Sequence, residues 1–274
     1  MTWNFRSIFF LLLLLGNAPS AATAYQATWK DILFWMQQKY HWDRLVIDAK
    51  VQVFDPFAQS NAPSNGTPLP SEIKERGFQQ ITSWEQDTQL AVEIQDFQGK
   101  LLHFYYELNG GVLSVATQSE RFFSKMDFFP YHLLFLTGDI ENRDFALRES
   151  GIEGNEVTLY LDEENRVFYR VGHPESKFFA LIDKELLLLH SLHGAWFTEG
   201  GKEQTLKILY SQFRRYHEHP YPSVTEYFVD NLLFKRVTVT SVDAPQSLPL
   251  AKFKALAQKW NTPHHATIQV DYVQ

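Results

Sequence analysis

The chain has 274 residues, 45% hydrophobic and 15% aromatic, with a formal net charge of −7. That acidity excludes a nucleic-acid binder, which needs basic patches to neutralise phosphates. Cysteine is absent, which excludes disulfides and a lipid-modified cysteine anchor, so stability must come from core burial.

The first segment reads as an export signal. Arg6 gives a basic start, Ile8 to Leu15 is an apolar core, and Ala22-Thr23-Ala24 is a small-x-small cleavage site. The apolar run is far short of the roughly 20 residues a membrane span needs. Residues 1–24 are therefore expected to be removed, leaving a soluble mature chain from Tyr25. Loss of Arg6, the single charge in the segment, takes the net charge from −7 to −8. A periplasmic protein is expected, without ATP or a cytosolic cofactor pool.

The mature chain opens with WKDILFWMQQK, Trp29–Lys39, where Ile32, Leu33, Trp35 and Met36 recur at helical spacing. Val46–Phe54 alternates as a strand. Asp55–Pro70 is rich in proline, serine and asparagine and reads as a loop. From Gln89 the chain becomes a run of hairpins. Leu90, Val92 and Ile94 alternate before Gln98-Gly99. Leu102, Phe104, Tyr106 and Leu108 precede Asn109-Gly110-Gly111. Further period-2 runs flank the turns Asp162–Asn165, Asp183–Glu185, Glu199–Lys202 and Asp230-Asn231. Short connections make neighbouring strands antiparallel, so roughly ten strands are expected in one meander.

Two helical insertions interrupt the strands. Arg121–Thr137 is dense in apolar residues and is broken or kinked at Pro130. Pro249–Trp260 starts on a proline and places Leu250, Phe253, Leu256, Ala257 and Trp260 on one face. The tail His265–Val273 alternates again. A twisted sheet this wide must close, split or be covered. The expected fold is mainly β, of the α+β class. It is a curved antiparallel sheet forming an open, incomplete barrel covered by a few helices, with residues 25–274 as a single domain.

Catalytic and metal chemistry find no foothold. His217 and His219 in a proline-flanked loop, and the adjacent His264-His265, lack the three or four convergent ligands of a zinc site. His190 and His193 lie on an apolar strand with no nucleophile elbow nearby. Asp162-Glu163-Glu164 sits in a turn, and Gly110-Gly111 and Gly200-Gly201 are hairpin turns rather than phosphate loops. No catalytic residue, metal or cofactor is assigned, and no enzyme is expected.

The succession of signal, first helix, hairpins, apolar helical insertion and more hairpins resembles the periplasmic lipoprotein carriers of the LolA/LolB type and their RseB-like relatives. The segments FYRVG, FFALIDKELLLLHSL, LKILYSQFRRY and YPSVTEYFVDNLLFKRVTVTSV carry most of the likeness, and PLAKFKAL resembles a short closing helix. The resemblance implies an open β-barrel with a helical lid and an apolar interior for acyl chains. It makes Phe122, Phe123, Met126, Phe128, Phe129, Leu133 and Leu134 the candidate lid over bound lipid. Arg170, Arg214 and Arg236 are candidates to face an anionic headgroup or a partner. The function implied is a soluble periplasmic carrier or chaperone binding the acyl chains of lipoproteins or other lipids. The alternative is an RseB-like sensor acting on a partner protein at the inner or outer membrane. A monomer is expected.

Overall fold

A computed structural model describes residues 26–40, 42–54, 76–85, 89–108, 111–116, 140–149, 151–152, 156–197, 203–217, 219–248 and residue 255. The signal segment, the 55–70 loop, the 121–137 insertion, the tail and all of 249–260 but Ala255 lie outside the described residues.

In chain order the elements are α1 (Trp29–Lys39), β1 (Arg44–Val53), β2 (Arg76–Glu85), β3 (Gln89–Gln95), β4 (Leu101–Leu108), β5 (Gly111–Ala116) and α2 (Ile140–Glu149). There follow β6 (Val157–Leu161), β7 (Val167–Val171), β8 (Phe179–Asp183), β9 (Leu189–Phe197), β10 (Glu203–Tyr216), β11 (His219–Val229) and β12 (Leu232–Asp243). All twelve strands form one sheet in the order β5-β4-β3-β2-β1-β12-β11-β10-β9-β8-β7-β6. Every pairing is antiparallel. The sheet does not close on itself: it consists of two meanders running away from a central β1–β12 pair. The mainly β open architecture read from the hairpin pattern is the one observed. Among the described residues its count is twelve strands rather than about ten.

The turns follow local chemistry. Asp230 and Asn231 both adopt positive φ, 48° and 66°, the twist a two-residue hairpin requires and one that Asn and Asp tolerate well. Asp162 accepts the amides of Glu164 and Arg166 at 2.9 and 2.8 Å, closing the β6–β7 turn.

Helix α1 starts in a capping box. The Thr28 hydroxyl accepts from the Asp31 amide, and the Asp31 carboxylate takes the Thr28 amide at 2.8 Å. Ile32, Leu33 and Met36 are all at most 3% exposed, whereas Phe34 is 49% exposed, so one stripe of the helix is buried and the opposite side faces water. Thr28→Ala is expected to lower stability by about 1 kcal/mol. Urea unfolding against the parent checks this; an unchanged midpoint would show that the cap contributes nothing.

Candidate functional site

Strand registry decides what lies on the face that carries α1. Val157 pairs with Val171, Val171 with Ala180, Ala180 with Leu192, Leu192 with Ile208 and Ile208 with Tyr227. Directly paired residues point to the same side, so this row crosses six strands on one face. Trp29, Ile32, Leu33 and Met36 of α1 and Leu147 of α2 pack into the same cluster. The Trp29 indole N–H donates to Asp144 Oδ1 at 3.0 Å, tying the two helices together. Both helices therefore sit on one side of the β6–β11 half.

The same face continues across the other half. Leu45, Ile47, Ala49, Val51 and Val53 alternate inward along β1. Their neighbours by register include Trp84 and Phe78 on β2, which lead on to Leu90, Val92 and Ile94 on β3. With Trp42, Tyr221, Val239 and Val242 these side chains form a second apolar cluster. One face of the open sheet is thus apolar across both halves, in two clusters that meet near β11 and β12.

Polar groups on this face are few. Gln80 donates to Thr82 at 3.1 Å on β2. His103 shares a row with Gln80 and Ile94, and burial pushes its pKa down to about 4. Lys235 is 4% exposed; it is paired with Val53 and Tyr227, with its ammonium 4.3 Å from the Tyr227 ring centroid. Arg143 on α2 is fully buried and donates to the Tyr40 carbonyl at 3.0 Å. The sequence pattern did not single out these buried groups. For Lys235 a signal existed: it keeps the period-2 spacing of Val237 and Val239.

The opposite face carries two stacks. Arg170 lies over Phe179 at 4.4 Å, and Phe179 stacks on His193 at 4.1 Å and 14°. Arg166 lies over Phe168 at 5.6 Å, and Phe168 meets His190 at 4.9 Å. Burial, then the charges of Lys207, Arg170 and His190, push His193 down to about 4. Ser191 Oγ is 3.4 Å from His193 Nε2, but Ser191 is 1% exposed, so substrate has no access to a nucleophile there. Among the described residues no group of three or more His, Asp or Glu is placed to hold a metal ion.

The three arginines singled out by sequence do not converge. Arg170 donates to the carbonyls of Gly172, His173 and Ser176 at 3.1, 2.9 and 2.8 Å, clamping the β7–β8 connection. Gly172 in that connection has φ +127°, and a Cβ there would lie 2.8 Å from the Phe178 carbonyl. Arg236 bonds Glu226 at 2.8 and 2.7 Å. Its strand, β12, is separated from β7 by four others. Arg214 is exposed near the end of the β10–β11 hairpin. The aromatic candidates from Phe122 to Leu134 lie outside the described residues.

An open antiparallel sheet bearing helices on one apolar face defines a class of half-barrel. Within it the fold is LolA-like. The structure superposes on a LolA superfamily protein from Nitrosomonas europaea with a TM-score of 0.52 at 8% identity, covering 83% of this chain and 98% of that one. A DUF1329 family protein from Desulfovibrio piger gives 0.49 at 11% identity, covering 84% and 97%. A MucA/MucB complex from Pseudomonas aeruginosa gives 0.27 at 10% identity, covering 89% and 62%. These two scores add nothing to the fold assignment. No family model matches the chain, and no curated protein matches it. No helix among the described residues is long and apolar enough to cross a membrane.

Proposed function

We propose that residues 25–274, released from a cleaved signal, act as one periplasmic unit that carries lipid or lipoprotein acyl chains. The observation that carries this reading is the apolar face running across both halves of an open LolA-like sheet. Acyl chains are recognised by broad apolar contact, at about 0.8 kcal/mol per buried methylene. A chain of about a dozen methylenes would gain on the order of 10 kcal/mol before the costs of ordering, enough for useful affinity without polar specificity.

The topology supplies a reason to place the lid in the 121–137 segment. Strands β5 and β6 lie at opposite edges of the sheet, and the chain between them includes α2 on the apolar face. In this reading Phe122, Phe123, Met126, Phe128, Phe129, Leu133 and Leu134 close over the bound chain, and Pro130 is the break that lets the lid move. Of the three arginines, Arg214 is the one assigned to an anionic headgroup or a partner, because its side chain is exposed while the other two are engaged.

A fluorescent fatty-acid probe tests the proposal. The parent protein should bind it, and Phe123→Ser with Phe129→Ser should abolish binding while urea unfolding stays cooperative. No binding by the parent, or unchanged binding by the double variant, overturns the lid and the carrier reading with it.

A further inference from the structure

Among the described residues strand β6 ends the sheet, and its exposed side chains are apolar on both faces. Leu159 is 62% exposed, Tyr160 43%, Leu161 58%, and Val167, the register partner of Leu161, 37%. These are half of the eight exposed large hydrophobics among the described residues, gathered on one hairpin at one edge. Exposed apolar edge strands are templates for another strand.

The backbone states which groups are on offer. The Glu156 carbonyl accepts from the Gly172 amide at 3.0 Å, and the Asp162 amide donates to the Arg166 carbonyl at 3.1 Å. Alternation along an antiparallel strand then turns the N–H and C=O of Thr158 and Tyr160 toward β7. Those of Val157, Leu159 and Leu161 point away from the sheet. Val157 is already closed off: its side chain is 8% exposed, and its carbonyl accepts Gln26 Nε2 at 2.9 Å. Among the described residues, what remains open is the pair Leu159 and Leu161, one N–H and one C=O on each.

Those four groups are self-complementary. A second copy laid antiparallel about a two-fold axis through Tyr160 sets Leu159 opposite Leu161 of the other chain, and Leu161 opposite its Leu159. Both are hydrogen-bonded pairs, so every open donor meets an open acceptor, four bonds in all. Leu159 and Leu161 of both copies then form one apolar row beside Val167, and the two Tyr160 rings meet on the opposite face. Thr158 falls opposite Asp162 of the second copy, and Glu156 opposite Glu164, whose carboxylate lies 3.3 Å from Arg166 of its own chain.

We propose that β6 is a self-pairing edge through which two copies join their sheets into one continuous sheet. The paired segment is short, so the dimer is weak and reversible, with a dissociation constant on the order of 100 µM. This proposal is independent of the cargo.

Sedimentation equilibrium of the mature protein from about 5 to about 500 µM reads the association directly. A monomer–dimer equilibrium is expected, and Leu159→Lys should weaken it about tenfold or more while the circular dichroism spectrum is kept. Because the chain has no cysteine, Tyr160→Cys supplies a second measurement that does not depend on the lysine variant folding. Directly opposed residues in a non-hydrogen-bonded pair have Cβ atoms close enough for a disulfide. The Tyr160→Cys chain should cross-link to itself under mild oxidant far faster than Lys50→Cys, a control at an exposed position on β1. A monomer mass throughout, dimerisation unaffected by Leu159→Lys, or equal cross-linking of the two cysteine variants overturns the proposal.

Discussion

Replacing Leu33 by alanine is expected to lower stability by about 3–5 kcal/mol and the thermal midpoint by on the order of 10 °C. Leu33 is 1% exposed and sits in the cluster that joins α1 to α2 and the β6–β11 half. That cluster draws Ile32 and Met36 from the same helix, and Ala180, Leu192 and Ile208 from three separate strands. No single element can move in to fill the hole, so the cavity term adds to the lost transfer energy. Phe34→Ala is the control: that ring is 49% exposed and its loss should shift the midpoint little. Thermal unfolding of the two variants beside the parent decides it. Equal effects would mean that α1 is not seated on the sheet.

Acid should weaken the fold well above the carboxylate range. Burial holds both His103 and His193 down to about 4, against about 6.5 in an unfolded chain. Above pH 6.5 both states are neutral at these positions and stability is unaffected. As pH falls below that, the unfolded chain takes up protons that the native state refuses, and stability drops until the pH reaches about 4. Between pH 7 and 5 the loss is about 2 kcal/mol for each histidine, before a discount for the partial exposure of His193. His103→Leu should remove its own share of the loss, with the remainder carried by His193 and by His190, whose pKa burial also lowers. Urea midpoints at the two pH values test this; a parent whose stability is flat between them would show that neither ring is desolvated as placed.

Much of the sheet was legible because hairpins announce themselves locally. Asp230-Asn231 and Asp162–Asn165 carry the turn residues, and the runs around them alternate cleanly. Trp29–Lys39 was legible because Ile32, Leu33, Trp35 and Met36 recur at helical spacing. Strand β2 was not: its inward positions are Phe78, Gln80, Thr82 and Trp84, so two polar side chains break the apolar alternation. Helix α2 escaped for a similar reason, since its fully buried positions include Arg143 as well as Leu147, and a buried arginine looks like a surface residue in sequence. The site was less legible than the fold. That Arg170 bonds three carbonyls follows from the course of the chain through Gly172 and Ser176, which residue spacing does not encode. The two central strands were recognisable individually, but nothing local announces that β1 pairs with β12.

That central pairing has a consequence for how the chain acquires its shape. Asp48 accepts hydrogen bonds from Thr240 and Ser241, some 192 and 193 residues away in sequence, so the spine of the sheet joins the start of the chain to its last described strand. Each arm is built of neighbouring hairpins that can assemble early, whereas the spine closes a very long loop. Synthesis must therefore deliver β12 before the two arms can be joined. A chain cut short before Leu232 would not merely lose an edge: it would leave two separate ribbons, each with a raw apolar flank where the spine should be. Quality control of this protein would hinge on a strand made late in the chain.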